Sequence, residues 1–101
     1  MKRIIYISGP ISKLPYKEAW EAFSCVEEKL RRVYPTAKVV NPMKKLVPKT
    51  LKWQWHMILD LIQLSSCSHI YLMKGWQQSN GARIEYRWAK QLGIKVLTRI
   101  P

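Results

Sequence analysis

Four of the chain's six acids, Glu18, Glu21, Glu27 and Glu28, crowd one early segment, so residues 29–101 hold only Asp60 and Glu85 amid many Lys and Arg. Those two invite a chemical reading. Three- and four-residue spacings on a helix put Glu85 on a face with Gly81, Ala82, Trp88, Ala89 and Leu92, away from Arg83, Arg87 and Lys90. Asp60 shares its face with Met57 and Leu64, with His56 one turn earlier. A carboxylate on an apolar face is hydrogen-bonded, ion-paired or turned towards a cavity, because burying it alone is expensive. A cavity-facing carboxylate can act as a nucleophile or move a proton. An ion pair accounts for each acid equally well, with a neighbouring Arg for Glu85 and with His56 for Asp60. Gly81 and Ala82, one turn before Glu85, leave room for a cavity.

The elements that must position these acids are readable from pattern. Lys2 to Ser8 is a β-rich apolar run ending at Gly9-Pro10, which predicts a first strand entering a loop. Ala19, Phe23, Val26, Leu30 and Val33 recur at spacings of four and three, which predicts a helix over 15–33 with Glu18, Glu21, Glu27 and Arg31 facing water. Lys38 to Asn41 reads as a second strand, followed by a basic connection with Lys44, Lys45, Lys49 and Lys52. A second helix, from Lys52 to about Ser66, is apolar nearly all round, as expected where a helix meets more than a sheet and part of it contacts another subunit. His69 to Met73 is a third strand, Lys74 to Asn80 a loop, Gly81 to Leu92 a third helix ended by Gly93, and Ile94 to Arg99 a fourth strand.

Strands alternating with helices pack as a parallel sheet with right-handed crossovers and helices on both faces. The expected fold is therefore α/β: one domain over residues 1–101, a flavodoxin- or Rossmann-like three-layer sandwich on four parallel strands, or five. In such sheets ligands bind beyond the carboxyl ends of the strands, where strand order reverses. The loops Ser8 to Leu14, Asn41 to Leu51 and Lys74 to Asn80 all emerge there.

Composition bounds the function classes. A net charge of +12, from 18 Lys and Arg against six acids, favours an anionic partner: a nucleotide, a nucleic acid or an acidic protein. Apolar runs stop far short of the roughly 20 residues that span a bilayer, and Ser8-Gly9-Pro10 interrupts any signal-peptide core, so a cytoplasmic protein without a membrane segment is expected. Cys25 and Cys67, 42 residues apart and without His at ligand spacing, read as buried thiols rather than a zinc site or disulfide, and no cofactor is expected.

Three stretches in order resemble the nucleoside 2-deoxyribosyltransferase-like superfamily, which includes deoxynucleoside 5′-monophosphate N-glycosidases and many small bacterial and phage proteins. They are Ile5-Tyr6-Ile7-Ser8-Gly9-Pro10-Ile11, the stretch from Asp60 and Leu61 through Cys67 to Leu72, and Gly75-Trp76 with Ser79-Asn80-Gly81-Ala82-Arg83-Ile84-Glu85. The resemblance implies that Glu85 is a nucleophile, that Tyr6 hydrogen-bonds to it, and that Asp60 holds the base or orients the nucleophile. It also implies that Ser79 lies where the glycosidases bind phosphate and that Ser8, Gly9 and Pro10 line the sugar side. The chain departs from the family at Ser68, where an acid commonly follows Cys, and in lacking the carboxy-terminal segment by which a neighbouring subunit completes the transferases' base pocket.

The reaction so implied is cleavage of an N-glycosidic bond through a covalent sugar ester on Glu85, with Asp60 or a water protonating the base. Ser79 and Asn80 open a helix whose free N–H groups suit a 5′-phosphate, although an ordinary N-cap accounts for Ser79 too. Trp76 either stacks on a base or covers the core edge. The expected partners are a nucleoside or nucleotide and further copies of the chain in a dimer or larger assembly. A non-catalytic module of the same fold that senses or sequesters a nucleotide is the first alternative. A basic nucleic-acid-binding protein is the second, less favoured because the cations are scattered and no nucleic-acid motif is present.

Overall fold

The computed structural model describes residues 3–11, 15–44 and 50–100. Lys45 and Lys49 of the basic connection and Ser12 to Leu14 of the first loop lie outside the described residues.

Four parallel strands form one sheet in the order β2-β1-β3-β4: β1 (Ile4–Ser8), β2 (Lys38–Val40), β3 (His69–Leu72) and β4 (Lys95–Leu97). The central strand β1 pairs with β2 on one side (Tyr6 opposite Val40) and with β3 on the other (Tyr6 opposite Ile70). The chain therefore steps one way from β1 to β2 and the other way to β3, and the reversal of strand order falls at the carboxyl end of β1.

Strand periodicity divides the core. Ile5 and Ile7 point to one face and pack with Val39 beneath Phe23 and Leu30 of α1 (Tyr16–Val33). Tyr6, Ile70 and Leu72 point to the other, against Leu64 of α2 (Trp53–Ser65) and Ala89 of α3 (Asn80–Gln91). Helices thus cover both faces, as the alternation of elements requires.

The termini of α3 show why the helix begins and ends where it does. Ser79 caps it, its hydroxyl accepting the Ala82 N–H at 3.3 Å. At the far end Gly93 takes φ +72°, and its N–H and that of Ile94 bond back to Lys90 and Ala89, which closes the helix as a Schellman turn.

Two readings of the sequence are corrected. Glu27 is buried, not turned to water: its carboxylate accepts from Asn41 Nδ2 at 3.1 Å and Arg31 Nε at 2.9 Å and pairs with Lys44 Nζ at 3.0 Å. Asn41 follows β2 and Lys44 lies in the 3₁₀ turn Pro42–Lys44, so this acid ties α1 to the β2–α2 connection. Of the cysteines, Cys67 is buried and burial pushes its thiol up to about 11, whereas Cys25 is exposed on α1. Among the described residues no helix is long and apolar enough to cross a membrane.

Candidate functional site

Because side chains alternate along a strand, Tyr6 and Ser8 lie two residues apart on the same face of β1, the face that α3 covers. Glu85 comes down from the first half of α3 onto that pair. Tyr6 Oη donates to Glu85 Oε2 at 2.6 Å and Ser8 Oγ to Oε1 at 2.7 Å. All three residues are at most 5% exposed. Each carboxylate oxygen receives one hydroxyl, so the plane of the carboxylate is set by two donors on a rigid central strand.

Burial raises the Tyr6 phenol well above its ordinary 10.0, and the negative charges of Glu85 and Asp60 raise it further, as does the hydrogen bond to Glu85. Tyr6 is therefore a neutral donor throughout the physiological range. Asp60, which adds to that shift through its charge, is buried on α2 in the stripe Met57, Asp60 and Leu64.

Two glycines shape the space around them. A Cβ on Gly9 would lie 2.7 Å from Met73 Sδ and 2.9 Å from Met73 Cβ, so the turn leaving β1 presses directly on the residue that follows β3. A Cβ on Gly81 would lie 3.2 Å from Met57 Sδ, so α2 and α3 approach closely one turn before Glu85. Gly75, at φ +88°, lets the chain turn back beneath Pro10, whose Cγ lies 3.7 Å from where a Gly75 Cβ would be. The loops after β1 and β3 thus touch at the point where strand order reverses.

The remaining candidates fall as follows. Ser79 is buried and caps α3, Gly81 and Ala82 form its first turn, and Asn80 is exposed with its side-chain oxygen accepting Arg83 Nη2 at 2.5 Å. Trp76 lies against the Tyr86 ring, centroids 4.8 Å apart, at the edge of the core beneath α2 and α3. Ser68, the departure from the family pattern, sits at the amino ends of β1 and β3, away from the site, where its hydroxyl accepts the Ile4 N–H at 2.9 Å and meets His69 Nδ1 at 2.8 Å.

Sequence reasoning assigned Ser8 to the sugar side and missed that it holds Glu85. The signal was present in the two-residue spacing Tyr6-x-Ser8 on a strand. It also missed Met57 and Met73, whose packing against glycines no local pattern announces. On α3 the buried stripe is Ala82, Glu85 and Ala89, while Trp88 and Leu92, expected to share Glu85's face, are 41% and 48% exposed.

Helices on both faces of a four-stranded parallel sheet make this a Rossmann-like α/β protein. Residues 3–98 match the family described as Domain of unknown function (DUF4406), and the chain belongs to it. Among solved structures the fold matches the 2-desoxiribosyltransferase from Leishmania mexicana, with a TM-score of 0.72 over 95% of this chain and 63% of that one. Identity is 17%, so the likeness is one of fold. No curated protein matches the sequence.

Proposed function

We propose that the protein binds a nucleoside or its 5′-monophosphate at the carboxyl ends of β1 and β3 and cleaves or transfers its N-glycosidic bond through Glu85. The observation that carries this reading is the Glu85 carboxylate, held by Tyr6 and Ser8 at the point where strand order reverses. A carboxylate oriented by two hydroxyls is a preorganised nucleophile. One oxygen attacks the anomeric carbon, the bond from that carbon to the base nitrogen breaks, and its electron pair leaves with the base, which takes a proton from Asp60 or water. Attack of water on the resulting ester returns the Glu85 carboxylate and releases the sugar. A second base in place of water would complete a transfer.

Tyr6 and Ser8 serve as positioning residues for Glu85, and Asp60 works beside them on the same phenol. Gly9, Pro10 and Trp76 border the loops that would enclose the nucleoside. The start of α3, with Ser79, Asn80, Gly81 and Ala82, is the place for a 5′-phosphate, where helix N–H groups and a positive dipole end meet an anion.

The test is incubation with deoxynucleoside and ribonucleoside 5′-monophosphates, with free base followed by chromatography. Release of base by the wild type, and a fall of at least about 10³-fold in kcat for Glu85→Gln with the fold intact, is the expected outcome. Binding without base release would make the chain a nucleotide-sequestering module of the same fold. A Glu85→Gln variant as active as the wild type would remove Glu85 from its role.

A further inference from the structure

The two faces of the sheet are covered unequally. Helices α2 and α3 share the face that holds Tyr6, Ser8 and Glu85, whereas α1 is the one α-helix of the other face among the described residues, and it lies chiefly over β1 and β2. Strands about 4.8 Å apart make four of them wider than a helix of about 10 Å can cover. What is left beside α1, over β3 and β4, is an open groove of about 490 Å³. Lys29, Arg32 and Val33 form one wall, since spacings of three and four place them on a single edge of α1. Tyr71 of β3, half-buried, and Ile100 after β4 complete the lining. Burial raises the Tyr71 phenol above its ordinary 10.0, so the ring is neutral.

Charge decides what the groove accepts. Both charged residues that line it are cations, and others flank it. Side chains alternate along a strand, so His69 points to the same face as Tyr71, with Lys95 opposite it on β4 and Ile5 opposite it on β1. Arg3, two residues before Ile5, lies on that face too, its guanidinium 5.3 Å from the ring centroid of Tyr34 at the end of α1. Burial, and then the charges of Arg3 and Lys95, hold the His69 imidazole below its ordinary 6.5. Among the described residues Arg3, Lys29 and Lys95 form no ion pair, and Arg32 has only the exposed Glu28 at 3.0 Å, a pair that a ligand exchanges at little cost. Cations gathered without counter-charge repel one another, and an anion bound among them relieves that repulsion. We propose that this groove is a second binding site, for a small ring-bearing oligophosphate whose phosphates meet Lys29 and Arg32 and whose ring lies against Val33, Tyr71 and Ile100. A bare inorganic anion would make no use of that apolar lining. A nucleic-acid strand stacks successive bases on several rings along a charged track, whereas this groove offers one ring in a volume within the roughly 300–1,000 Å³ of small-ligand sites. The site lies across the sheet from Glu85 and is independent of any glycosidic chemistry there.

Magnesium-free ATP serves as the probe, titrated into the full chain at about 0.15 M salt while the methyl resonances of Val33 and Ile100 are followed. Both residues' methyls are expected to shift and to saturate together. Inorganic triphosphate, which carries the charge without the ring, is expected to bind at least about 10-fold more weakly than ATP. Lys29→Gln combined with Arg32→Gln is expected to weaken ATP at least about 10-fold, since one charge-assisted hydrogen bond is worth roughly that factor. Both side chains are exposed, so an unchanged circular dichroism spectrum is expected of the double variant. If it misfolds, the comparison of ATP with triphosphate on the wild type still decides. No saturable shift at Val33 and Ile100, a folded double variant that binds ATP as the wild type does, or triphosphate as tight as ATP would overturn the proposal. Single-stranded oligothymidylate that displaces ATP at a lower phosphate concentration would overturn it too and give the surface to nucleic acid.

Discussion

Tyr6 makes the most consequential contact in the molecule, because one hydroxyl both satisfies a buried carboxylate and fixes its direction. Removing it in Tyr6→Phe takes one hydrogen bond from the buried Glu85 carboxylate, which costs about 1–3 kcal/mol in stability at neutral pH. The pH dependence follows from the raised phenol. An unfolded tyrosine ionises near 10, while burial and the neighbouring carboxylates hold the folded one neutral beyond that. The stability the folded pKa confers is therefore fully present below pH 10 and declines as pH rises towards the folded value, by about 1.4 kcal/mol per pH unit at most. Urea unfolding of wild type and Tyr6→Phe at pH 8 and at pH 11 should show the gap between them narrowing at the higher pH. A gap that stays constant would mean that Tyr6 titrates normally in the fold.

At the scale of elements, the site depends on how tightly the ends of β1 and β3 are pressed together. Gly9→Ala would set a Cβ against Met73, and since one contact is the fixed Cβ rather than the mobile thioether, the strand ends must shift. We expect a loss of about 1–3 kcal/mol, measured by denaturant unfolding, and a much smaller loss when Gly9→Ala is placed in a Met73→Ala background. Equal losses in both backgrounds would show that Met73 is not the obstacle. The sequence announces the elements but not this pressure. Periodicity located β1, α1 and α3 to within a few residues because each buries one face, and that rule acts locally. It put Glu27 in solvent although Phe23, Glu27 and Leu30 share a face, because the polar partners that make its burial tolerable, Asn41 and Lys44, arrive from another element. It placed Trp88 and Leu92 inside with Glu85 because a helical projection ranks residues by hydrophobicity and cannot tell which apolar flank the sheet covers. The alignment of Glu85 with Tyr6 was available only through family resemblance, since 79 residues separate them.

For the molecule as a whole, the excess of positive charge sets both its stability and its associations. The ion pairs of Arg31 and Lys44 with Glu27 and of Arg32 with Glu28 gather on α1 and the turn after β2, and the excess cations repel one another. Screening shortens the reach of that repulsion from about 30 Å at 0.01 M salt to about 8 Å at 0.15 M, whereas the exposed Arg32–Glu28 pair has little to lose. Moderate salt should therefore stabilise the fold, by about 1 kcal/mol or a Tm higher by roughly 5 °C. The same screening should loosen any contact with nucleic-acid phosphates, whose affinity falls steeply with salt. Thermal unfolding from about 0.01 to 0.2 M NaCl checks the effect on the fold. A rise in Tm fits a molecule whose charge opposes its own packing. A Tm that falls with salt would mean that attraction, in ion pairs concentrated around Glu27, outweighs the repulsion of the remaining cations.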